Sequence, residues 1–550
     1  MKPRMLLGAA VLFMACALLL QSCAVKGPVK QEPPIKIGIL GCPYNLNPLL
    51  PREACGDEIV NVMFRGLVDW NEKWELFPLM AKEVPSPEAG TVVRRGRSSM
   101  AMEFAIDGRA RWSNGLFLEA PDFIFFYQMA VFPGLRGAND SWARSVDKVK
   151  SLGEDRVEVS WKSLDAGSMK YLKAFPRELL EAKIYENAQE FFKEPYRYEL
   201  ICNGPYVAAN VKLERERITS LSLLRNDEYG RKKAALSRFD VKFFPSRDAF
   251  ESDLFGGAFD IMPSLTYSEG KMLSENEKFS VYFTPGSSVV TLFFDMESPL
   301  LEEKELRKAL LLSLNREELV KNVYEKGGKP AQSWLAERHP AYVSAFSGYQ
   351  YSQKSALEAL NAIGWKRDAS GTWKSGNKAL TLRLYYADES LFATVAATVK
   401  KEWEALGITV SEEKVRSENF FTTLAQYRKN AYPSVILSSL EAPPWVSPGT
   451  YFGSKPIDTV RDYSAKSHFS RWNSKENEEL CKAFSEELDT RKRNEMLRSH
   501  QVLVAEELPL VPLFSALKVS AVRKGFKNFN PRGFGDNLWN IEYWEREGPR

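Results

Sequence analysis

Residues 380–415 read LTLRLYYADESLFATVAATVKKEWEALGITVSEEKV. From Leu380 to Tyr386 apolar side chains alternate, the period of a strand. Phe392, Val395, Ala396, Val399, Trp403 and Leu406 then recur at helical spacing, and Gly407 stands where a glycine ends a helix. Ile408 to Val410 reads as a second strand, Asn419–Arg428 as a second helix, and Ser434–Leu440 as a third strand. Strand, helix, strand, helix, strand implies parallel pairing through right-handed crossovers. The spacing predicts an α/β domain.

The alternation extends outward. Lys304–Leu314 places Leu306, Leu310 and Leu314 on one helical face. Asn315 reads as the N-cap of a following helix, with Glu318 at the reciprocal capping position and Gly327-Gly328 as its end. Nearer the start, Met102–Ile106 is a predicted strand, Trp112 to Gly115 a turn, and Pro121 opens an apolar helix through Ala130. After residue 474 come two amphipathic helices. Leu508–Leu517 follows, and its two prolines suit a strand at an edge or one crossing between domains.

The chain has 550 residues, enough for two or three domains. A net charge of +4 without a dominant Lys/Arg block argues against a nucleic-acid binder. Lys2 and Arg4 precede an apolar run over residues 5–20, and Ser22 precedes Cys23. That layout is a secretory signal over 1–22 with a thiol just after the cut, and residues 23–35 read as a tether. Downstream, no apolar run reaches spanning length. Cys42, Cys55, Cys202 and Cys481 do not fit a zinc site; Cys42 with Cys55 is a plausible local pair, although spacing fixes no connectivity. No nucleophile elbow, phosphate loop or His-Glu-x-x-His motif is present. His339, His468 and His500 lie far apart, and His500, in a charged helix, reads as a solvated side chain. The expectation is therefore no catalytic residue, no metal and no cofactor.

The order of short signals resembles the family 5 extracellular solute-binding proteins, which serve ABC importers of peptides and nickel. Asn47-Pro48, then Met63 to Val68 and Pro78 to Ala81, is similar to the family's opening. Phe104 to Ile106, Arg111 to Gly115 and Glu119 to Asp122 resemble its strand, turn and helix signature. Asn203 to Tyr206 with Arg225-Asn226, Phe259 to Ile261, Leu306 to Leu310 with Asn315-Arg316, and Pro509 to Leu513 follow in the family's order. Cys23 resembles the lipidated cysteine of bacterial lipoproteins, which implies a protein held on the extracytoplasmic side of the cell envelope.

The resemblance implies two lobes joined by two crossing strands. Lobe I would comprise 36–68, 191–286 and 514–550, an inserted domain 69–190, and lobe II 287–513. It also implies a non-catalytic monomer that captures a small solute, an oligopeptide first of all, and passes it to ABC permease subunits. The ligand segments would be Arg52, Glu53 and Ala54 in lobe I and Leu440, Glu441 and Ala442 in lobe II, with Trp445 either pocket wall or loop packing. One departure stands out: where peptide binders carry an aspartate for the ligand's α-amino group, this chain has Pro444. The alternatives are another solute, such as a metal chelate or sugar, or a protein partner on the same fold; a hydrolase is the remotest reading.

Overall fold

The structure is a computed structural model describing residues 33–50, 53–96, 99–132, 140–162, 172–187, 200–325, 327–430, 435–453 and 468–547. Met1–Ile35 is one unit and Lys36–Arg550 another; the architecture described is that of the second. The signal, Cys23 and Arg52 lie outside the described residues.

One ten-stranded sheet organises the chain. Its order is Thr409–Val415, Thr381–Ala387, Val435–Glu441, Phe279–Phe294, Leu510–Arg523, Ile261–Leu265, Ile35–Leu40, Arg238–Phe244, Arg217–Arg225, Tyr206–Glu214. The predicted alternation forms one end. Thr381–Ala387 pairs in parallel with both Thr409–Val415 and Val435–Glu441. The connecting helix, Ser390–Ala405, buries Val395, Ala396, Val399 and Trp403. Gly407 closes it at φ +88°, a conformation that costs a glycine least.

Two long strands run through the centre. Phe279–Phe294 lies antiparallel to Leu510–Arg523 from Phe279 opposite Arg523 to Phe293 opposite Leu510. The register breaks between Pro285 and Val289. Pro285 has no N–H to give, and Gly286 has no room for a side chain, since a Cβ there would lie 2.6 Å from the Ala516 carbonyl. On one side of the break the pair joins Ile261–Leu265, and on the other Val435–Glu441. The two prolines of 508–517 therefore mark a strand shared by both halves of the sheet, not an edge.

A separate four-stranded sheet has the order Val92–Arg94, Met100–Ala105, Arg156–Trp161, Val146–Ser151. The Trp112 turn closes as predicted, with Gly115 N–H donating to the Trp112 carbonyl at 2.9 Å and Gly115 at φ +88°. Asp122 fastens this turn to the helix Ala120–Ala130. Its carboxylate accepts from Trp112 Nε1 at 3.0 Å, from Glu119 N–H at 3.1 Å and from Arg177 N–H at 3.0 Å.

Two expectations change. Asn315 does cap its helix, accepting from Glu318 N–H at 3.1 Å. The Asn315 N–H, however, goes to the Glu402 carboxylate of a neighbouring helix at 2.7 Å. His500 is not solvated. It is fully buried among Trp334, Phe452 and Trp472, with Nε2 3.0 Å from Asn477 Oδ1. A buried face on an otherwise charged helix escaped the sequence pattern.

Burial depresses His500 to about 3 and His339 to about 4. An unfolded chain therefore binds these protons first, so stability is full above pH ~6.5 and falls as pH drops below it. Each histidine should add a slope of up to about 1.4 kcal/mol per pH unit, which urea unfolding between pH 7 and 4 will measure; a flat profile would contradict the burial. Asp122→Ala, which removes the acceptor of three donors, the buried Trp112 Nε1 among them, should cost about 1–3 kcal/mol in the same assay.

Candidate functional site

A cavity of about 450 Å³ opens beside Lys518, whose strand partner Thr284 precedes the break in the crossing strands. One wall is the helix Ala54–Met63, whose Ala54, Asp57, Glu58 and Asn61 face it at i, i+3, i+4 and i+7 spacing. Cys55, Ile59, Val60, Val62 and Met63 of the same helix are buried. Lys518 comes from a crossing strand, and Arg532 with Asp536 from the C-terminal loop. Arg65, Asp69 and Lys173 complete the polar lining.

The charges are mostly paired. Arg65 meets Glu542 at 2.7 Å with both side chains buried. Arg532 reaches Asp69 Oδ2 at 3.0 Å and Asp536 Oδ2 at 3.1 Å, and Asn61 Nδ2 also donates to Asp536 Oδ2 at 3.1 Å. Lys173 Nζ donates to the Phe64 carbonyl at 2.7 Å and to Asn61 Oδ1 at 3.1 Å. Lys518 Nζ donates to the Gly535 carbonyl. Three lining atoms are left over, since Glu58 Oε2, Asp536 Oδ1 and Arg65 Nε are buried without a hydrogen-bond partner. Burial, then the charge of Asp536, pushes Glu58 up to about 8, against the pull of Lys518. Burial lowers Lys518, opposed by Glu58 and Asp536.

The sequence-derived residues take different places. Ala54 lines the cavity. Glu53 precedes the helix, but its carboxylate turns to Arg217 Nη1 at 3.2 Å and Tyr44 N–H at 3.4 Å. Leu440 and Ala442 are fully buried; Leu440 pairs with Val289, and Ala442 N–H donates to the Ser287 carbonyl at 2.9 Å. Glu441 is exposed, accepts from Ser287 Oγ at 3.1 Å and lies near enough to Lys518 to act on its charge. Ala54 shares the cavity lining with Lys518, and Glu441 acts on the charge of the same lysine. Trp445 packs against Trp70 and Phe534, with ring centroids 5.7 Å from each. Phe534 in turn meets the buried Trp74 at 5.3 Å. Cys42 and Cys55 are buried free thiols.

Sequence reasoning missed Glu58, Lys518, Arg532 and Asp536. The polar stripe of the helix Ala54–Met63 was a usable signal for Glu58. Nothing local marks the other three, which reach the cavity from the far end of the chain.

Residues 100–456, more than half of the chain, match the model of the bacterial extracellular solute-binding proteins, family 5. The chain belongs to that family. It is 22% identical over 537 residues to the oligopeptide-binding protein OppA of Bacillus subtilis, covering 94% of this chain and 93% of that one. It is 22% identical over 404 residues to the peptide transport periplasmic protein SapA of Salmonella typhimurium, covering 72% and 69%. Among solved structures, HbpA2 from Haemophilus parasuis superposes with a TM-score of 0.76 at 14% identity, covering 94% of this chain and all (100%) of that one. The fold is therefore the two-lobed one of periplasmic binding proteins, with the crossing strands as its connection.

Arg65→Met leaves Glu542 buried and uncompensated and should cost about 3–5 kcal/mol by chemical unfolding. Adding Glu542→Leu should recover most of that loss; an additive double variant would show that the pair does not act as one.

Proposed function

We propose that this chain is a non-catalytic substrate-binding protein that captures a peptide-like solute between its lobes and delivers it to an ABC permease. The observation that carries this reading is the pair of long strands shared by both halves of the sheet and broken between Pro285 and Val289. Rotation about two shared strands lets the lobes close over a ligand. The curated relatives add support, being named for oligopeptide binding and peptide transport.

On this reading lobe I comprises 36–68, 191–286 and 514–550, the inserted domain 69–190, and lobe II 287–513. Arg52, Glu53 and Ala54 approach the ligand from lobe I; Leu440, Glu441, Ala442 and Trp445 approach it from lobe II. With Leu440 and Ala442 in the core, their contribution is to hold Glu441 at the rim. Trp445, half-buried on Trp70 and Phe534, supports closure. Cys23 carries acyl chains that moor the protein outside the cytoplasm, and the protein works as a monomer.

Native mass spectrometry of protein purified without denaturation should show a co-purified solute. Ligand at 100-fold over Kd should stabilise the fold by about 2.7 kcal/mol, and solution scattering should show a smaller radius of gyration. No thermal shift with any di- to octapeptide pool, together with unchanged scattering, would overturn peptide capture. Cys23→Ser should move the protein from the membrane fraction to the soluble one.

A further inference from the structure

Two carboxyl oxygens at the cavity are satisfied by nothing in the structure. Asp536 is 7% exposed; its Oδ2 takes both Asn61 and Arg532, and its Oδ1 takes nothing. Glu58 Oε2, on the facing helix, is equally buried and equally unpartnered. A buried carboxyl oxygen without a partner is costly, and the charge of Asp536 acts on Glu58 beside it. Lys518 acts on both but spends a donor on Gly535. A primary ammonium or a guanidinium brings one positive charge and several donors, which matches two orphaned carboxyl oxygens.

Residues 441–446 are closed to a different mode of recognition. Strand addition needs free main-chain donors and acceptors. At Glu441 the N–H donates to the Tyr451 hydroxyl at 3.0 Å, and the carbonyl accepts from the same hydroxyl at 2.8 Å. Ala442 N–H is taken by Ser287 and Val446 N–H by Pro443, each at 2.9 Å. Pro443 and Pro444 have no N–H at all.

We propose that the solute is recognised through a cationic group, a primary ammonium or a guanidinium, seated between Glu58 and Asp536, rather than through its main chain along residues 441–446. The inference rests on solute capture at this cavity and names the chemistry captured. It moves the charge contact to lobe I, away from Pro444. Glu441, exposed and tied to Ser287, stays at the rim.

The test uses the whole folded protein and two matched pairs of probes. One is a random tri- to octapeptide mixture lacking Lys, Arg and His, used as such and N-acetylated; the other is 1,5-diaminopentane against 1,5-pentanediol. Free-amine peptides should bind about 100-fold tighter than acetylated ones, the effect of a desolvated charge pair, and the diamine should bind where the diol does not. Glu58→Gln should abolish the preference while retaining the unfolding midpoint, because it keeps the side-chain shape and Glu58 Oε2 has no hydrogen bond to lose; Asp536→Asn should abolish it too, with a lower midpoint because the buried pair with Arg532 is weakened. Glu441→Gln should change affinity less than about threefold, as a rim charge does. Acetylated and free peptides binding alike would overturn the cation seat and leave solute capture standing. Diamine binding without any peptide binding would leave the seat standing and remove the peptide. If Glu441→Gln abolishes the preference and Glu58→Gln does not, the seat is at the rim and the proposal fails.

Discussion

The antiparallel pairing of Phe279–Phe294 with Leu510–Arg523 is the interaction on which the rest depends. Long strands bury their main-chain groups in a continuous ladder, and a ladder this long belongs to both halves of the sheet. It can bend only where the ladder is broken. Pro285 and Gly286 supply that place, one by withholding a donor and the other by allowing the Ala516 backbone to come close. Ser287 then turns its N–H to the Gly533 carbonyl at 2.8 Å and its carbonyl to Ala442. A strand break, a C-terminal loop and the end of Val435–Glu441 thereby meet at one point.

The cavity beside Lys518 is polar, which has a physical consequence. Charges taken out of water must be paired or they destabilise the fold. Arg65 with Glu542, and Arg532 between Asp69 and Asp536, meet that requirement and fix the walls. Among the described residues of the wall, Glu58 Oε2, Asp536 Oδ1 and Arg65 Nε are left without a hydrogen-bond partner. Incomplete satisfaction inside an otherwise well-paired wall costs stability that a bound solute would restore, and binding sites are where such a cost is tolerated.

Around the polar wall the contacts are aromatic. Trp70, Trp74, Trp445 and Phe534 come from three distant stretches of chain and share a small apolar cluster. Rings meeting edge to face add about 0.5–1.5 kcal/mol beyond the area they bury. Contacts of that size hold an arrangement without locking it, which suits a joint that opens and shuts.

What the sequence determined by itself was local. Hydrophobic periodicity marked the parallel strands and helix of 380–415, and Gly407 and Gly115 marked their turns, because a period and a left-handed backbone need only near neighbours. The order of short motifs placed the family and, through it, the crossing strands. Ala54 and Glu441 were within reach of the same reasoning. Only the tertiary structure decided that Glu53 faces Arg217, that Leu440 and Ala442 are core, that His500 is buried, and that Asp536 stands across from Glu58. Those outcomes depend on which side chains the fold brings within a few ångströms and which waters it removes, and neither distance nor desolvation is written in residues that lie hundreds of positions apart.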